Sequence, residues 1–157
     1  MLESLLNHFC VFFRDNRIEY GWIEAVHKNK FIVIPQKGKS QFLPASRIAF
    51  SWRGQKLAYN AKKGHELLEQ DLKTASNFMK KLELETIHSL MEEMKEYTID
   101  EISADFLEDP KDSICKLGLF MALRDDLFWF KKNRNMSYTP RTSEELEILR
   151  IQLIRQK

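Results

Sequence analysis

The sequence has little cysteine and no apolar stretch long enough to cross a membrane. Its two cysteines, Cys10 and Cys115, lie far apart, without a CxxC motif or a metal-ligand spacing. Such usage is typical of a reducing compartment, so we expect a cytoplasmic protein. The apolar cluster between Leu5 and Phe13 is interrupted by polar residues and is too short to span a bilayer. It predicts a buried first strand, and we expect no membrane partner.

Residue patterns typical of a catalytic or metal centre are also missing. The four histidines share no spacing with one another, and no serine or cysteine stands at a distance that suggests a triad or a zinc site. Asp100, Asp105, Asp109 and Asp112 are close in sequence, but they fall at predicted helix starts and in the loop between helices. Carboxylates there cap amides and interact favourably with the helix dipole. We therefore predict no catalytic residue, no metal site and no cofactor in this chain.

Charge is present in three blocks of alternating sign. Residues 1–60 hold nine basic and four acidic residues, a net charge of +5. Residues 61–109 hold six and thirteen, a net −7, and residues 110–157 hold ten and six, a net +4. The two basic blocks suit a polyanion, although charge alone does not identify a partner.

The first basic block has the pattern of short strands. Aromatic and β-branched residues are dense between Phe9 and Trp52, and turn residues recur at short spacing. The predicted strands cover residues 9–13, 21–26, 31–34, 41–43 and 48–50, with a single helical turn starting at Pro44. Five short antiparallel strands suit a small closed barrel. An SH3-like barrel fits better than an OB-fold, because there is little room for the OB-fold helix.

After Trp52 the pattern becomes helical. Apolar residues step by three and four along residues 68–79, and a second helix is predicted over residues 84–94. Capping boxes at residues 98–101 and 142–145 predict the starts of the third and fifth helices. Asp109 before a proline predicts the start of the fourth helix.

The stretch between the fourth and fifth helices predicts a β-hairpin. Residues 127–140, called the wing below, have β-prone ends around a basic, asparagine-containing tip. Helices followed by a hairpin make a winged helix-turn-helix. The sequence thus predicts an α+β chain, with a small SH3-like or OB-like β-barrel over residues 1–58 and a helical winged-helix domain over residues 59–157.

Four segments of the second part carry a family resemblance. Residues 84–90 read LETIHSL and residues 97–103 read YTIDEIS. Residues 122–132 read ALRDDLFWFKK, and residues 138–147 continue as YTPRTSEELE. They resemble the winged-helix region of ribonuclease II-like exoribonucleases, where an ALxxDxLFF segment precedes a basic wing and a PRSPEEVE-like helix start. The barrel is similar to the small β-domain that precedes the winged helix in shorter members.

This resemblance implies a processive, hydrolytic 3′→5′ exoribonuclease that threads single-stranded RNA into a magnesium-dependent catalytic domain. The aspartate cluster of that domain is not found in these residues. We therefore expect this chain to be the RNA-binding, substrate-guiding region and to be inactive alone. Its expected partners are single-stranded RNA and the C-terminal catalytic domain of the same protein, where Mg²⁺ is expected.

The predicted RNA contacts are cations that neutralise phosphates and aromatic rings that stack on bases. In the wing and beside it they are Lys131, Lys132, Arg134, Arg141, Trp129 and Tyr138. In the barrel they are Lys28, Lys30, Lys37, Lys39, Arg47 and Arg53, with Trp22, Phe42 and Trp52 as stacking rings. The alternative is that Phe128, Phe130 and Tyr138 point inward and leave only a solvated charged tip. We expect Phe128 and Phe130 to be buried in either case.

Two other functions stay open. A DNA-binding regulator needs a recognition helix with polar residues for base edges, whereas the fourth helix is polar only at Ser113, Lys116 and Arg124. Sequence-specific DNA binding is therefore disfavoured. A protein-docking module would expose an apolar patch, and it is compatible with the exoribonuclease hypothesis.

Overall fold

The computed structural model describes residues 5–15, 17–53, 61–133 and 136–155. Over these residues the protein is a mixed α+β structure with one five-stranded and one three-stranded antiparallel sheet and five α-helices. The chain divides into two compact units, Met1–Lys73 and Thr74–Lys157. The predicted domain boundary, between residues 58 and 59, lies outside the described residues.

The five-stranded sheet belongs to the first unit. Its strands are β1 (Phe9–Arg14), β2 (Arg17–His27), β3 (Lys30–Pro35), β4 (Gln41–Pro44) and β5 (Ile48–Trp52). They lie in the order β4-β3-β2-β1-β5, and all neighbours are antiparallel. The five predicted strands are confirmed. The predicted helical turn is a 3-10 turn over Ala45–Arg47, directly after Pro44.

Strand β1 is buried on both faces, which explains its uninterrupted apolar sequence. Phe9, Cys10, Val11 and Phe12 are each 0% exposed. Because successive side chains of a strand point to opposite faces, these four residues supply both sides of the sheet. Cys10 and Phe12 belong to a core cluster completed by Ile23, Phe31 and Val33.

The opposite face of the sheet is covered by the first helix, α1 (Ala61–Met79). Phe9 lies opposite Trp22 in β2 and Trp52 in β5. The indole Nε1 of Trp52 donates a hydrogen bond to the Asp71 carboxylate, 2.9 Å away. A Cβ atom on Gly64 would lie 2.7 Å from the Trp22 ring, so the helix backbone approaches this ring closely because residue 64 is glycine.

The second unit contains the end of α1 and four further helices. They are α2 (Leu84–Leu90), α3 (Ile99–Phe106), α4 (Ser113–Asp125) and α5 (Ser143–Arg155). The short strands are β6 (Tyr97–Thr98), β7 (Phe130–Lys132) and β8 (Ser137–Pro140), in the order β6-β8-β7. Strands β7 and β8 are antiparallel, so the predicted hairpin is confirmed.

Both predicted capping boxes are present. The Thr98 hydroxyl accepts from the Glu101 amide, and the Glu101 carboxylate accepts from the Thr98 amide. Thr142 and Glu145 make the same pair of hydrogen bonds at the start of α5. Each pair satisfies two amides that a helix start leaves without a partner.

Two predicted helix boundaries are wrong. Asp112, rather than Asp109, caps α4, because its carboxylate accepts from the amides of Ile114 and Cys115. The second helix ends at Leu90 instead of continuing to residue 94. The Glu92 amide donates to the Tyr97 hydroxyl, which ties the chain into a turn before β6.

Helix α4 lies in the interior of the second unit. All seven residues from 117 to 123 are buried, as the apolar sequence predicts. Gly118 permits close packing here, because a Cβ atom would lie 2.7 Å from the Ala75 carbonyl oxygen. Helix α4 therefore offers little exposed surface over residues 117–123.

Candidate nucleic-acid interface

An exposed aromatic ring lies beside a lysine on strands β3 and β4. Alternation along β3 directs Phe31 and Val33 into the core and places Lys30 and Ile32 on the other face. Ile32 is the cross-strand neighbour of Phe42, which is 56% exposed. The Lys30 ammonium lies 5.1 Å from the centroid of the Phe42 ring, within the range of a cation–π interaction.

A shallow pocket adjoins this ring. It is lined by His27, Ile32, Ser40, Gln41 and Phe42. We call these residues, together with Lys30, the β3–β4 patch. An open ring next to polar side chains and a cation is an arrangement that accepts a stacked base and a neighbouring phosphate.

The other predicted cations of the first unit are divided between the turns next to the β3–β4 patch and positions farther along the chain. Lys28 lies in the turn between β2 and β3, and Lys37 and Lys39 lie in the turn between β3 and β4; all are exposed. Arg47 is exposed in the 3-10 turn. Arg53 follows β5, at the other end of the strand order from β4. The pKa of His8 is lowered mainly by burial and, to a smaller extent, by the positive charge of Arg53.

Two of the three proposed stacking rings in the first unit are not accessible. Trp22 and Trp52 are 3% and 2% exposed, because α1 lies over them. Trp22 also contacts the His65 ring edge-to-face, with 5.1 Å between centroids. Phe42 is the ring of the three that solvent reaches.

In the second unit, one carboxylate organises the entry to the wing. The backbone amides of Phe128, Trp129 and Phe130 donate to the Asp126 side chain at 3.3, 3.2 and 3.0 Å. Asp126 occupies the aspartate position of the ALxxDxLFF-like segment, and no role was predicted for it. The signal was an aspartate in the turn directly after a helix, because an Asp side chain there commonly accepts hydrogen bonds from the backbone amides that follow it.

The lysines of β7 are held by neighbouring groups. The Lys131 ammonium lies 2.5 Å from the Glu145 carboxylate. This hydrogen bond, followed by one from the Thr142 backbone, lowers the pKa of Glu145 to about 2. Lys132 is exposed, and its ammonium donates to the Arg124 carbonyl oxygen. Arg134 lies outside the described residues.

The aromatic residues of the wing mostly point inward. Phe130 is 1% exposed, as expected. Phe128 was also expected to be buried, but it is only half-buried, and the Arg150 guanidinium lies over its ring. Tyr138 is 4% exposed, and burial raises its pKa to about 12. Its ring is therefore not presented to a base, whereas Trp129 is half-buried and partly accessible.

Trp129 and Arg141 are joined at the base of the wing. The Arg141 amide donates to the Trp129 carbonyl oxygen at 2.9 Å. The His88 ring lies 5.1 Å from the Trp129 ring, and its Nε2 is 2.7 Å from the Arg141 carbonyl oxygen. Among the residues that the structure describes, the buried Arg141 Nε atom has no hydrogen-bond partner.

Within the part of the chain that the structure describes, no group of three or more His, Cys, Asp or Glu residues is arranged to hold a metal ion. Two members of the aspartate series have structural partners. Asp112 caps α4, and the Asp100 carboxylate pairs with the Lys116 ammonium. No helix of the described ranges has the length and apolar character needed to span a membrane.

Comparisons of the chain with protein-family models, with curated proteins and with solved structures gave no match.

Proposed function

We propose that this chain binds single-stranded RNA and guides it to the catalytic domain of a cytoplasmic ribonuclease II-like 3′→5′ exoribonuclease. The observation that carries this proposal is the β3–β4 patch, where the exposed Phe42 ring lies beside Lys30. Lysines in the two adjoining turns add further positive charge. Stacking on an open ring and phosphate neutralisation act on every base, so such a surface binds single strands with little sequence preference.

The fold elements agree with the proposed domain types. A strand order of β4-β3-β2-β1-β5, with a 3-10 turn before β5, is the order expected of an SH3-like barrel. Three helices followed by a β-hairpin and a final helix are the elements expected of a winged-helix domain. We propose these two domain types for the two units.

The wing is the second proposed RNA contact. Lys132 is exposed there, and Lys131 projects from the same strand. Because Lys131 is paired with Glu145, a phosphate would have to compete with this carboxylate. We therefore expect the wing to contribute less per lysine than the β3–β4 patch.

The DNA-binding alternative has less support, since residues 117–123 of α4 are buried and offer little surface to base edges. A docking role has a specific observation in its favour. Helix α5 exposes four large apolar side chains, namely Ile148, Ile151, Leu153 and Ile154. Ile148, Ile151 and Ile154 recur every three residues and lie along one side of the helix, whereas Leu153 lies on another side. Exposed apolar side chains grouped in this way are typical of a surface that contacts another protein, and we propose the catalytic domain as that partner.

Fluorescence anisotropy with labelled oligo(A) and oligo(U) tests the RNA contact. Phe42→Ala removes the exposed ring, and stacking on one ring contributes about 1–3 kcal/mol, so affinity for both oligomers is expected to fall roughly ten-fold. Leu90→Ala is the matched control, because Leu90 is 66% exposed and lies outside the patch. It is expected to leave affinity unchanged.

A salt titration tests the lysines separately. Changing Lys30, Lys37 and Lys39 to alanine should flatten the dependence of log K on log salt by about two, since each phosphate contact on a single strand contributes about 0.7. The control changes Lys73, Lys80 and Lys111, three exposed lysines outside the patch. Equal effects of the two triple variants would show that only overall charge matters and would contradict the site. No RNA shortening by the purified chain is expected, with or without Mg²⁺.

A further inference from the structure

The second unit contains an apolar cleft that RNA binding does not use. It has a volume of about 450 Å³, in the range of sites that hold a small ligand or one large side chain. Its apolar lining comes from the end of α1, from α2 and from α3, through Phe78, Leu82, Ile87, Phe106 and Leu107. Ile87 and Leu107 are buried, while Phe78, Leu82 and Phe106 are partly accessible.

The rim of the cleft is acidic. Among the described residues that line it, Glu83, Glu108 and Asp109 are acidic and Lys81 is basic. All four side chains belong to exposed residues. The rim therefore has a net negative charge, and it lies within the block of residues 61–109 that carries −7 overall.

The inner wall adds a neutral thiol. Cys115 lines the cleft, and burial, followed by the nearby Asp112 charge, raises its pKa to about 11. The thiol is consequently protonated near neutral pH and adds no charge to the lining. The cleft thus combines an apolar, uncharged interior with an acidic entrance, which is the complement of an apolar side chain flanked by cations.

We propose that this cleft is a docking site for a basic peptide segment, which inserts one apolar side chain between α2 and α3 and places flanking Lys or Arg residues at Glu83, Glu108 and Asp109. Negative charge at the rim excludes RNA from the same place, because phosphates are repelled there. The proposal is independent of RNA binding at the β3–β4 patch.

The test uses three fluorescein-labelled hexapeptides and the full chain. The first has a Leu-Phe pair between two Lys-Arg pairs. In the second the apolar pair is Ser-Ser, and in the third the basic pairs are Glu-Asp. Only the first is expected to give saturable anisotropy below about 1 mM. Saturable binding of the Ser-Ser peptide with equal affinity would overturn the proposal, since the apolar pocket would then contribute nothing.

Two variants locate the site. The double variant Glu108→Gln, Asp109→Asn removes two rim charges and is expected to weaken the first peptide roughly five-fold at low salt. The matched control, Glu92→Gln with Glu93→Gln, removes two exposed charges of the same unit outside the cleft and is expected to change affinity less than two-fold. Equal losses in the two double variants would overturn the cleft as the binding site.

A third readout follows occupancy directly. Cys115 is partly accessible, whereas Cys10 is 0% exposed, so maleimide labelling of the folded chain near pH 8 reports on the cleft. The first peptide should slow this labelling at concentrations that saturate the anisotropy signal. The plug variant Thr86→Trp, placed at an exposed lining residue, should abolish both effects while circular dichroism stays native. If saturating peptide leaves the rate of maleimide labelling unchanged, the proposal is refuted. These variants should bind oligo(A) as the parent does, because the cleft and the β3–β4 patch are proposed to be different sites.

Discussion

Asp126 provides the sharpest test of how the wing is positioned. Its carboxylate accepts from three successive backbone amides, those of Phe128, Trp129 and Phe130. Hydrogen bonds to a charged acceptor contribute about 1.5–3 kcal/mol each in mutational series, but three that share one partly exposed carboxylate are not additive. Asp126→Ala is therefore expected to lower the free energy of unfolding by about 3 kcal/mol.

Thermal unfolding followed by circular dichroism measures this change. For a chain of this size, 1 kcal/mol corresponds to a Tm change of about 2–4 °C, so Asp126→Ala should lower Tm by about 6–12 °C. Asp126→Asn keeps one acceptor oxygen and should have about half this effect. The matched control is Asp125→Ala, because Asp125 directly precedes Asp126 and makes an exposed ion pair with Arg124 at 3.0 Å. Such pairs contribute at most about 1 kcal/mol.

Equal, small Tm changes for Asp126→Ala and Asp125→Ala would refute this reasoning. The wing would then be positioned by the burial of Phe130 alone. The three amides would donate to water instead of the carboxylate, with no change in the free energy of unfolding. A large effect of Asp126→Ala with no effect of Asp126→Asn would assign the stabilisation to the hydrogen bonds of one side-chain oxygen, such as Oδ1, which accepts from both Phe128 and Trp129.

Three further predictions concern packing, pH and the wing tip. Gly21→Ala should lower the free energy of unfolding of the first unit by about 2–3 kcal/mol, because the new Cβ atom would lie 2.3 Å from a backbone carbonyl oxygen of β3. Urea unfolding measures this change, and an unchanged urea midpoint would contradict it. Glu145 has its pKa lowered from 4.5 to about 2, so its contribution to stability is complete above pH 4.5 and is lost as pH falls toward 2. Glu145→Gln should therefore reduce the loss of stability between these pH values, and identical urea midpoints for parent and variant throughout this range would exclude the linkage. Changing Lys131, Lys132 and Arg134 together to alanine should flatten the dependence of log K on log salt for RNA binding by less than about two, because Lys131 is paired with Glu145. Tm should change little, because such an exposed pair contributes at most about 1 kcal/mol. An unchanged slope would make the wing tip a solvated loop.

Local patterns in the sequence were sufficient for most of the secondary structure. The capping boxes that begin at Thr98 and Thr142 act over three residues, so the residues that form them are adjacent in the chain. The apolar run from Phe9 to Phe12 predicted a buried strand, since no strand with a solvated face has that pattern. The other strands and the hairpin were also predictable, because strand and turn propensities act over a few neighbouring residues.

Local reasoning failed where two neighbouring residues could perform the same task. Asp109 and Asp112 both have the chemistry of an N-cap, and a proline after Asp109 made it the better choice by propensity. The structure places the cap at Asp112, next to the apolar run that α4 buries. Packing of that run determines where the helix begins, and packing is not a local property.

The candidate sites depend most on tertiary structure. Trp22, Phe42 and Trp52 are equivalent in sequence as stacking rings, but α1 covers the two tryptophans and leaves Phe42 exposed. The pairing of Lys131 with Glu145 likewise joins a strand to a helix fourteen positions later. The sequence by itself determined most of the helices, strands and helix caps, because propensity and capping act between neighbouring residues. Which of those side chains reach solvent was decided by contacts between distant segments, because burial depends on what packs over a residue in the folded chain.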